Sequence, residues 1–248
     1  MSNGLWSKLG GLLSTATAGA GGDSQGSVQG RRVGAGPDSY DYQIYVPGEL
    51  RAGRSLPVIV FLHGIGQRGS GGFVPTTGAP GALVRHYLKQ VPAIVLLPQC
   101  RPGKFWADPL MDHAVMASLE QTIGEFGADP HRLYLTGVSM GGYGVWHLAS
   151  HHPERFAALV SICGGSPLQD GDRFSPVARK VGGTPAWLFH GSDDQVVPAS
   201  ESRRMVEALK ANRGNVKYNE YPGVGHNVWL QVLTEKGLMP WLLAQERR

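Results

Sequence analysis

One serine in this chain has neighbours suited to nucleophilic catalysis. Ser139 lies in Gly137-Val138-Ser139-Met140-Gly141, a G-x-S-x-G pattern. An apolar, strand-like run precedes the pattern and an amphipathic helical pattern follows it, so the serine would occupy a sharp strand-to-helix turn. Glycines two positions before and two after the serine remove the Cβ atoms that would clash in such a turn. The hydroxyl would point into a cleft, with a helix N-terminus behind it that favours developing negative charge.

Two further loops supply the partners that an attacking hydroxyl needs. Asp194 follows the strand-like run 186–189, where a carboxylate could hold an imidazole in the correct tautomer. Asp193 competes for this role, but the spacing His-Gly-x-x-Asp-x-x-Val-Pro favours Asp194, and Asp193 is interpreted as a solvated turn residue. His226 lies in a glycine-rich loop after the last strand-like run, from which it could reach the nucleophile. We therefore predict Ser139, Asp194 and His226 as nucleophile, orienting acid and base.

Backbone N–H groups near the serine are predicted to form an oxyanion hole. One donor is Met140, the residue after the nucleophile, and the other is Ile65, in a glycine-rich turn after a buried strand-like run. Gly64 and Gly66 in the same turn remain alternative donors. His63 lies beside this turn and is interpreted as a residue that braces the loop.

Two tryptophans are candidate substrate-binding residues. Trp106 and Trp229 fall in loops beside the predicted catalytic edge of the sheet, where flat apolar side chains could contact an aromatic group or a polymer chain. An alternative is that each one packs inward and steadies its loop.

The sequence predicts neither a metal site nor a cofactor. No Cys/His pair has ligand spacing, and no glycine-rich segment ends in the Lys-Ser/Thr of a phosphate-binding loop. Cys100 and Cys163 both follow strand-like runs at the predicted catalytic edge. They could form a disulfide or remain buried thiols.

Strands and helices must position these residues. Apolar runs alternate with helical patterns, which indicates parallel strands with helices on both faces. With 248 residues and 42% apolar content, the chain can bury one large core. We expect a flexible, glycine-rich leader over residues 1–36 and a single α/β domain over residues 37–248. The expected strands are 40–46, 57–62, 93–97, 132–136, 157–162, 185–189 and 216–221, and the expected helices are 79–89, 110–126, 140–151, 200–211 and 237–245.

Charge and hydropathy limit the kinds of partner that this chain is expected to have. The net charge is +4, but the basic residues are scattered, so no nucleic-acid partner is expected. No apolar stretch approaches the length of a transmembrane helix, so no membrane partner is expected. The apolar stretch near the start is short and broken by glycines, which favours a cytoplasmic protein over an exported one.

The chain resembles a known superfamily. The order Ser139, Asp194, His226 is that of the α/β-hydrolase fold. Segments 137–144, 162–165, 221–227 and 97–100 resemble compact bacterial esterases related to polyhydroxybutyrate depolymerases, feruloyl esterases and dienelactone-hydrolase-like peptidases. The similarity runs from about residue 40 to residue 243 and implies a mostly parallel central sheet. Only about twenty residues separate Gly165 from Pro185, too few for a cap domain, so an open cleft is expected.

The resemblance implies a serine carboxylesterase that hydrolyses short-to-medium acyl esters through an acyl-enzyme. Aromatic esters of the feruloyl type and polyesters are further candidate substrates, so the expected partner is a small-molecule or polymeric ester. A serine peptidase acting on short peptides is the main alternative, although peptidases of this fold usually append a propeller or cap. A non-catalytic binding protein is the other alternative, and the intact Ser-Asp-His set argues against it.

Overall fold

The computed structural model describes residues 26–36, 39–48, 55–70 and 91–247. These residues form an eight-stranded sheet in the order β1-β2-β4-β3-β5-β6-β7-β8. β2 is antiparallel to β1 and β4, and the remaining neighbours are parallel, so the structure confirms the expected mostly parallel sheet. The strands are β1 (Ser27–Val33), β2 (Tyr40–Val46), β3 (Val58–Leu62), β4 (Ile94–Pro98), β5 (Leu133–Val138), β6 (Ala158–Ile162), β7 (Ala186–Gly191) and β8 (Val216–Tyr221).

Helices cover both faces of the sheet, as expected. They are α1 (Pro109–Phe126), α2 (Met140–His151), α3 (Ser175–Val181), α4 (Ser200–Ala211), α5 (Trp229–Val232) and α6 (Leu238–Leu243). Apolar side chains of α1 to α4 share one core cluster with one face of the sheet, and those of α5 and α6 share a second cluster with the other face. In β3, Val60 belongs to the first cluster and Ile59 to the second. Burial on both faces explains why this strand is a continuous apolar run.

The predicted leader is wrong for its last part. Ser27–Val33 forms β1, which pairs with β2 along its whole length. The sequence argument required apolar burial, but most β1 side chains are exposed or only partly buried. Backbone pairing holds this strand instead, together with an ion pair of 2.7 Å from Arg31 to Glu125 on α1. Residues 1–25 lie outside the described part of the chain.

The other predicted elements agree with the structure to within a few residues, apart from two omissions. Sequence analysis did not predict α3 or α5, and the predicted helix 79–89 lies outside the described residues. The connection from β6 to β7 is described throughout and contains α3 and loops without a cap domain. Within the described ranges, no helix is both long and apolar enough to span a bilayer.

The carboxyl ends of the parallel strands lie at one edge of the sheet. Leu62 at the end of β3 pairs with Gly137, one residue before the end of β5. Gly191 at the end of β7 pairs with Tyr221 at the end of β8. Because these neighbours end nearly in register, the loops that follow them converge on one place. These are the loops that carry the predicted nucleophile, acid, base and oxyanion donors.

Candidate active site

The backbone at Ser139 is held in a conformation that few residues adopt. Its φ of 55° and ψ of −118° are strained for a residue with a side chain. A Cβ at Gly137 or Gly141 would lie closer than 3.0 Å to a backbone carbonyl, that of Gly141 or of Leu62 respectively. Only glycine therefore fits at these two positions, as the sequence pattern predicts. The turn places Ser139 directly before α2, at the edge where the loops converge.

The side chains of Ser139, His226 and Asp194 form one hydrogen-bonded chain. Nε2 of His226 lies 2.9 Å from the Ser139 Oγ, and Nδ1 lies 2.7 Å from Oδ2 of Asp194. An ionised carboxylate only accepts, so Nδ1 carries the proton and Nε2 is free to accept one from the serine hydroxyl. This tautomer is the one in which an imidazole can act as a general base toward serine.

Asp194 is held in its ionised form. Its side chain is fully buried, and Oδ1 accepts the N–H groups of Val196 at 2.8 Å and Val197 at 2.9 Å. Burial raises the pKa of this carboxyl, but hydrogen bonds from His226 and the two N–H groups outweigh burial, so the pKa lies below its usual value. At neutral pH the carboxylate is therefore charged and can stabilise an imidazolium at His226.

Asp193, the alternative acid, has a different environment. It is exposed, and its Oδ1 accepts the hydroxyl of Ser192 at 2.6 Å. Its backbone N–H donates to the carbonyl of Val224. The structure therefore places Asp194, rather than Asp193, against the imidazole.

The two predicted oxyanion donors border the same space as Ser139. Met140 is the first residue of α2, so its N–H has no acceptor within the helix. Ile65 begins a 3-10 turn (Ile65–Gln67), and Ile65, Met140 and Ser139 line one cavity. The preceding Gly64 packs close to the nucleophile, since a Cβ there would lie 3.7 Å from the Cβ of Ser139.

His63 braces the loop that carries Ile65. Its Nε2 accepts the Cys100 N–H at 3.0 Å, so Nδ1 carries the proton and donates to the Gly64 carbonyl at 2.7 Å. Its own carbonyl accepts the indole N–H of Trp106 at 3.0 Å. Burial lowers the pKa of His63 to about 4, which keeps the ring neutral. Both ring nitrogens are therefore committed to holding the loop.

A cavity of about 620 Å³ opens over Ser139. Its mouth carries large apolar side chains in contact with solvent, among them Phe105 at 53% exposure and Val196 at 69%. Trp106 forms part of the wall, although the side chain is almost completely buried and its N–H is committed to His63. The lining residues are Ile65, Phe105, Trp106, Ala107, Asp108, Ser139, Met140, Tyr143, Gly144, Pro167, Gln169, Val196 and Val197.

Trp229 does not line this cavity. Its ring meets that of His226 edge-on, with centroids 5.8 Å apart, and packs against the core that α5 and α6 share with the sheet. The structure thus places Trp229 beside the predicted base, in a packing position, rather than in the wall that faces a substrate at Ser139.

Several residues of this site were not predicted from the sequence. Tyr143 lies one helical turn after the nucleophile, so the 3.6-residue period of α2 could have placed it in the cavity. Phe105 and Val196 sit in loops, whose paths the sequence pattern does not predict. His190 belongs to the same motif as Asp194, and its ring contacts that carboxylate at 3.3 Å.

Cys163, Asp194 and His226 are the set of potential metal ligands found among the described residues, with ligand atoms within 4.8 Å of one another. Their chemistry does not fit a metal ion. Burial raises the pKa of the Cys163 thiol far above neutral, so the thiolate that binds metals is disfavoured. His226 and Asp194 are already hydrogen-bonded to each other. Cys100 and Cys163 are both free, buried thiols.

Comparison with known proteins identifies related sequences and folds. Residues 110–235 match the family described as Phospholipase/Carboxylesterase. A solved thermostable esterase is 31% identical with a TM-score of 0.76, covering 89% of this chain and 63% of that one. A protein from Escherichia coli (strain K12), provisionally named a carboxymethylenebutenolidase, is 28% identical over 121 residues, which is 46% of this chain and 44% of that protein.

More distant structures share the fold. The feruloyl esterase module from Clostridium thermocellum, solved with sinapinate, has a TM-score of 0.65 at 15% identity and covers 91% of this chain and 90% of its own. At that identity the likeness shows the fold alone. The chain spans less than two thirds of the length of the thermostable esterase and of the Escherichia coli protein.

Proposed function

The chain belongs to the phospholipase/carboxylesterase family, and from that premise we propose that it is a serine carboxylesterase with Ser139 as nucleophile. The observation that carries this proposal is the hydrogen-bonded chain from Ser139 through His226 to Asp194, in which Ser139 lines a largely apolar cavity. Each of the three side chains has a hydrogen-bond partner that this chemistry requires, and the His226 ring has the required tautomer.

The mechanism uses the chain's own residues. His226 Nε2 removes the hydroxyl proton as Ser139 attacks the ester carbonyl, and Asp194 stabilises the imidazolium that forms. The oxyanion of the tetrahedral intermediate accepts N–H groups of Met140 and Ile65, each worth about 3–4 kcal/mol of barrier in enzymes of this kind. His226 then protonates the departing alcohol. Water then attacks the acyl-enzyme as His226 removes one of its protons, and His226 returns that proton to the Ser139 Oγ as the carboxylic acid is released.

The cavity lining favours an uncharged substrate. Among the described residues that line it, Asp108 is the one charged side chain, and this carboxylate is committed to Lys104 at 2.9 Å and to the N–H of Leu110 at 3.0 Å. The described part of the lining therefore offers an incoming group mostly apolar walls and a carboxylate that is already paired. A neutral ester loses little hydration on entering such a site, whereas a charged substrate would lose much more.

The apolar mouth of the cavity favours acyl or aromatic groups of moderate size. The lining residues Phe105 and Val196 expose much of their surface, and Leu168 is exposed next to the lining residues Pro167 and Gln169. Exposed apolar side chains clustered around a cavity mark a binding surface. The substrates that suit it are short-to-medium acyl esters, feruloyl-type aromatic esters and polyesters.

A substrate panel with the wild type and Ser139→Ala tests the proposal. The panel comprises p-nitrophenyl esters of increasing chain length, methyl ferulate, a polyester film and a peptide p-nitroanilide. We expect turnover of short-to-medium esters by the wild type and loss of that turnover in Ser139→Ala, with unchanged circular dichroism. An anilide cleaved faster than every ester would identify a peptidase instead. A strong preference for long-chain lipids at an oil–water interface would contradict the open cleft.

A further inference from the structure

A second histidine contacts the carboxylate that holds His226. His190, near the end of β7, is completely buried, and its Nε2 lies 3.3 Å from Oδ2 of Asp194. That same oxygen receives Nδ1 of His226 at 2.7 Å. His190 is also held from both sides, because Nε2 lies 2.9 Å from the Val197 carbonyl and Nδ1 lies 2.7 Å from the Ser202 hydroxyl.

The partners of His190 determine its tautomer. The Val197 carbonyl only accepts hydrogen bonds, so Nε2 carries the proton and donates it to that carbonyl, while Oδ2 of Asp194 lies 3.3 Å from the same nitrogen. Nδ1 is then unprotonated and accepts the hydroxyl proton of Ser202. Burial lowers the pKa of His190, in agreement with a neutral ring. The Nε2–H group is therefore fixed and uncharged, and it lies beside the Asp194 carboxylate.

Resting on the proposed function, we propose that His190 is a positioning residue that acts through Asp194, orienting its Oδ2 toward His226 and limiting the basicity of that carboxylate. The geometry supplies both effects. Oδ1 is fixed by the N–H groups of Val196 and Val197, and the N–H dipole of His190, whose nitrogen lies 3.3 Å from Oδ2, opposes rotation of the carboxylate about its Cβ–Cγ bond. A carboxylate that loses one polar N–H neighbour becomes more basic and interacts more strongly with its remaining partners.

Loss of the His190 donor should alter catalysis in a specific way. A freer, more basic Asp194 would hold the imidazolium form of His226 more strongly, so the acidic limb of the kcat/KM profile would shift to higher pH. The turnover number would fall because the imidazole is less well oriented. The Michaelis constant would change little, since His190 is buried and does not line the cavity over Ser139.

Two polar replacements separate the two ring nitrogens. The amide nitrogen of Gln reaches about the position of Nε2, and that of Asn reaches about the position of Nδ1. His190→Asn should lower kcat for p-nitrophenyl butyrate by about ten- to a hundredfold, the loss seen when an outer polar partner is removed from a metal-ligating residue. His190→Gln should retain most of the activity and the wild-type pH profile. Ser202→Ala, which leaves Nε2 and its proton in place, is the matched control and should have a smaller effect than His190→Asn.

A double-mutant cycle with Asp194→Asn decides whether His190 acts through that carboxylate. We expect His190→Asn to change kcat by close to a factor of one when Asp194 is already replaced, because its target is gone. The same loss in both backgrounds, an unshifted acidic limb, or no rescue by Gln would overturn the proposal in favour of a purely structural role. Activity that persists in Ser139→Ala would instead refute the proposed function, so the two failures are distinguishable.

Discussion

Replacing Asp194 by Asn perturbs one atom of the site with a predictable consequence. One carboxylate oxygen accepts the N–H groups of Val196 and Val197, and the other faces ring nitrogens of His226 and His190. An amide offers one acceptor and one NH₂ donor. Whichever way the Asn side chain turns, its NH₂ group faces two N–H donors. The structure therefore allows no orientation of Asn that preserves the hydrogen bonds of the wild type.

The least costly adjustment is a change of tautomer at His226. If Nδ1 gives up its proton it can accept from the Asn NH₂ group, and the proton then resides on Nε2. That N–H faces the Ser139 hydroxyl at 2.9 Å and cannot remove its proton. A wrongly held tautomer lowers kcat by about 10³- to 10⁴-fold in serine hydrolases, or about 4–5.5 kcal/mol of barrier at 1.36 kcal/mol per factor of ten. The Michaelis constant should stay close to that of the wild type, since neither Asp194 nor His226 lines the cavity.

Asp193→Asn is the matched control, because it makes the same chemical change at the adjacent, exposed position. Its kcat should remain within about twofold of the wild type, as for most surface substitutions. Both variants are assayed by release of p-nitrophenol from the butyrate ester, with circular dichroism as a check on folding. Equal losses in the two variants, or a larger loss for Asp193→Asn, would refute this account of the acid.

Four other substitutions test packing, charge and the cavity. Gly141→Ala should lower the free energy of unfolding by about 1–3 kcal/mol, because its Cβ would collide with a backbone carbonyl. Gly124→Ala should instead raise the free energy of unfolding by about 0.5–1 kcal/mol, because Gly124 lies at an exposed helical position with open space around it. Urea denaturation measures both changes. Glu220→Gln removes the exposed ion pair with Arg203 and should destabilise by about 0.2–1 kcal/mol at neutral pH. The pKa of Glu220 is lowered from 4.5 to about 2 by hydrogen bonding to Arg203, against some burial, so this difference should vanish as pH falls from 4.5 to 2, and a difference that persists there would contradict the pairing. Phe105→Ala should raise KM by about three- to tenfold for octanoate esters and less for acetate esters, because apolar contact at the cavity mouth is lost; equal effects on both chain lengths would place the acyl group elsewhere.

Part of the fold was predictable because its sequence pattern is set by strict sterics. The turn at Ser139 admits only glycine at Gly137 and Gly141, so the pattern located the end of β5 and the start of α2. The parallel strands are buried on both faces and read as continuous apolar runs. β1 (Ser27–Val33) was missed because it depends on backbone pairing with β2, which leaves no apolar pattern in the sequence.

The candidate site likewise contains residues that the sequence predicts and contacts that it does not. Ser139, Asp194 and His226 could be chosen from sequence because each follows a recognisable strand in the expected order, and the structure brings them together. The contact between His190 and Asp194 could not be predicted, because it depends on the path of the chain between the end of β7 and Asp194, which the residue types do not determine. The exposure of Phe105 at the cavity mouth likewise depends on how separate loops meet.

The measurement that tests the central claim most directly is covalent labelling of the nucleophile. A fluorophosphonate ester is incubated with the wild type and with Ser139→Ala, and the digested proteins are mapped by mass spectrometry alongside residual esterase activity. The account predicts a single adduct on Ser139 that accumulates in proportion to the loss of activity, with no adduct in Ser139→Ala. Complete inactivation with Ser139 unlabelled, or an adduct on another residue that tracks the loss of activity, would contradict it.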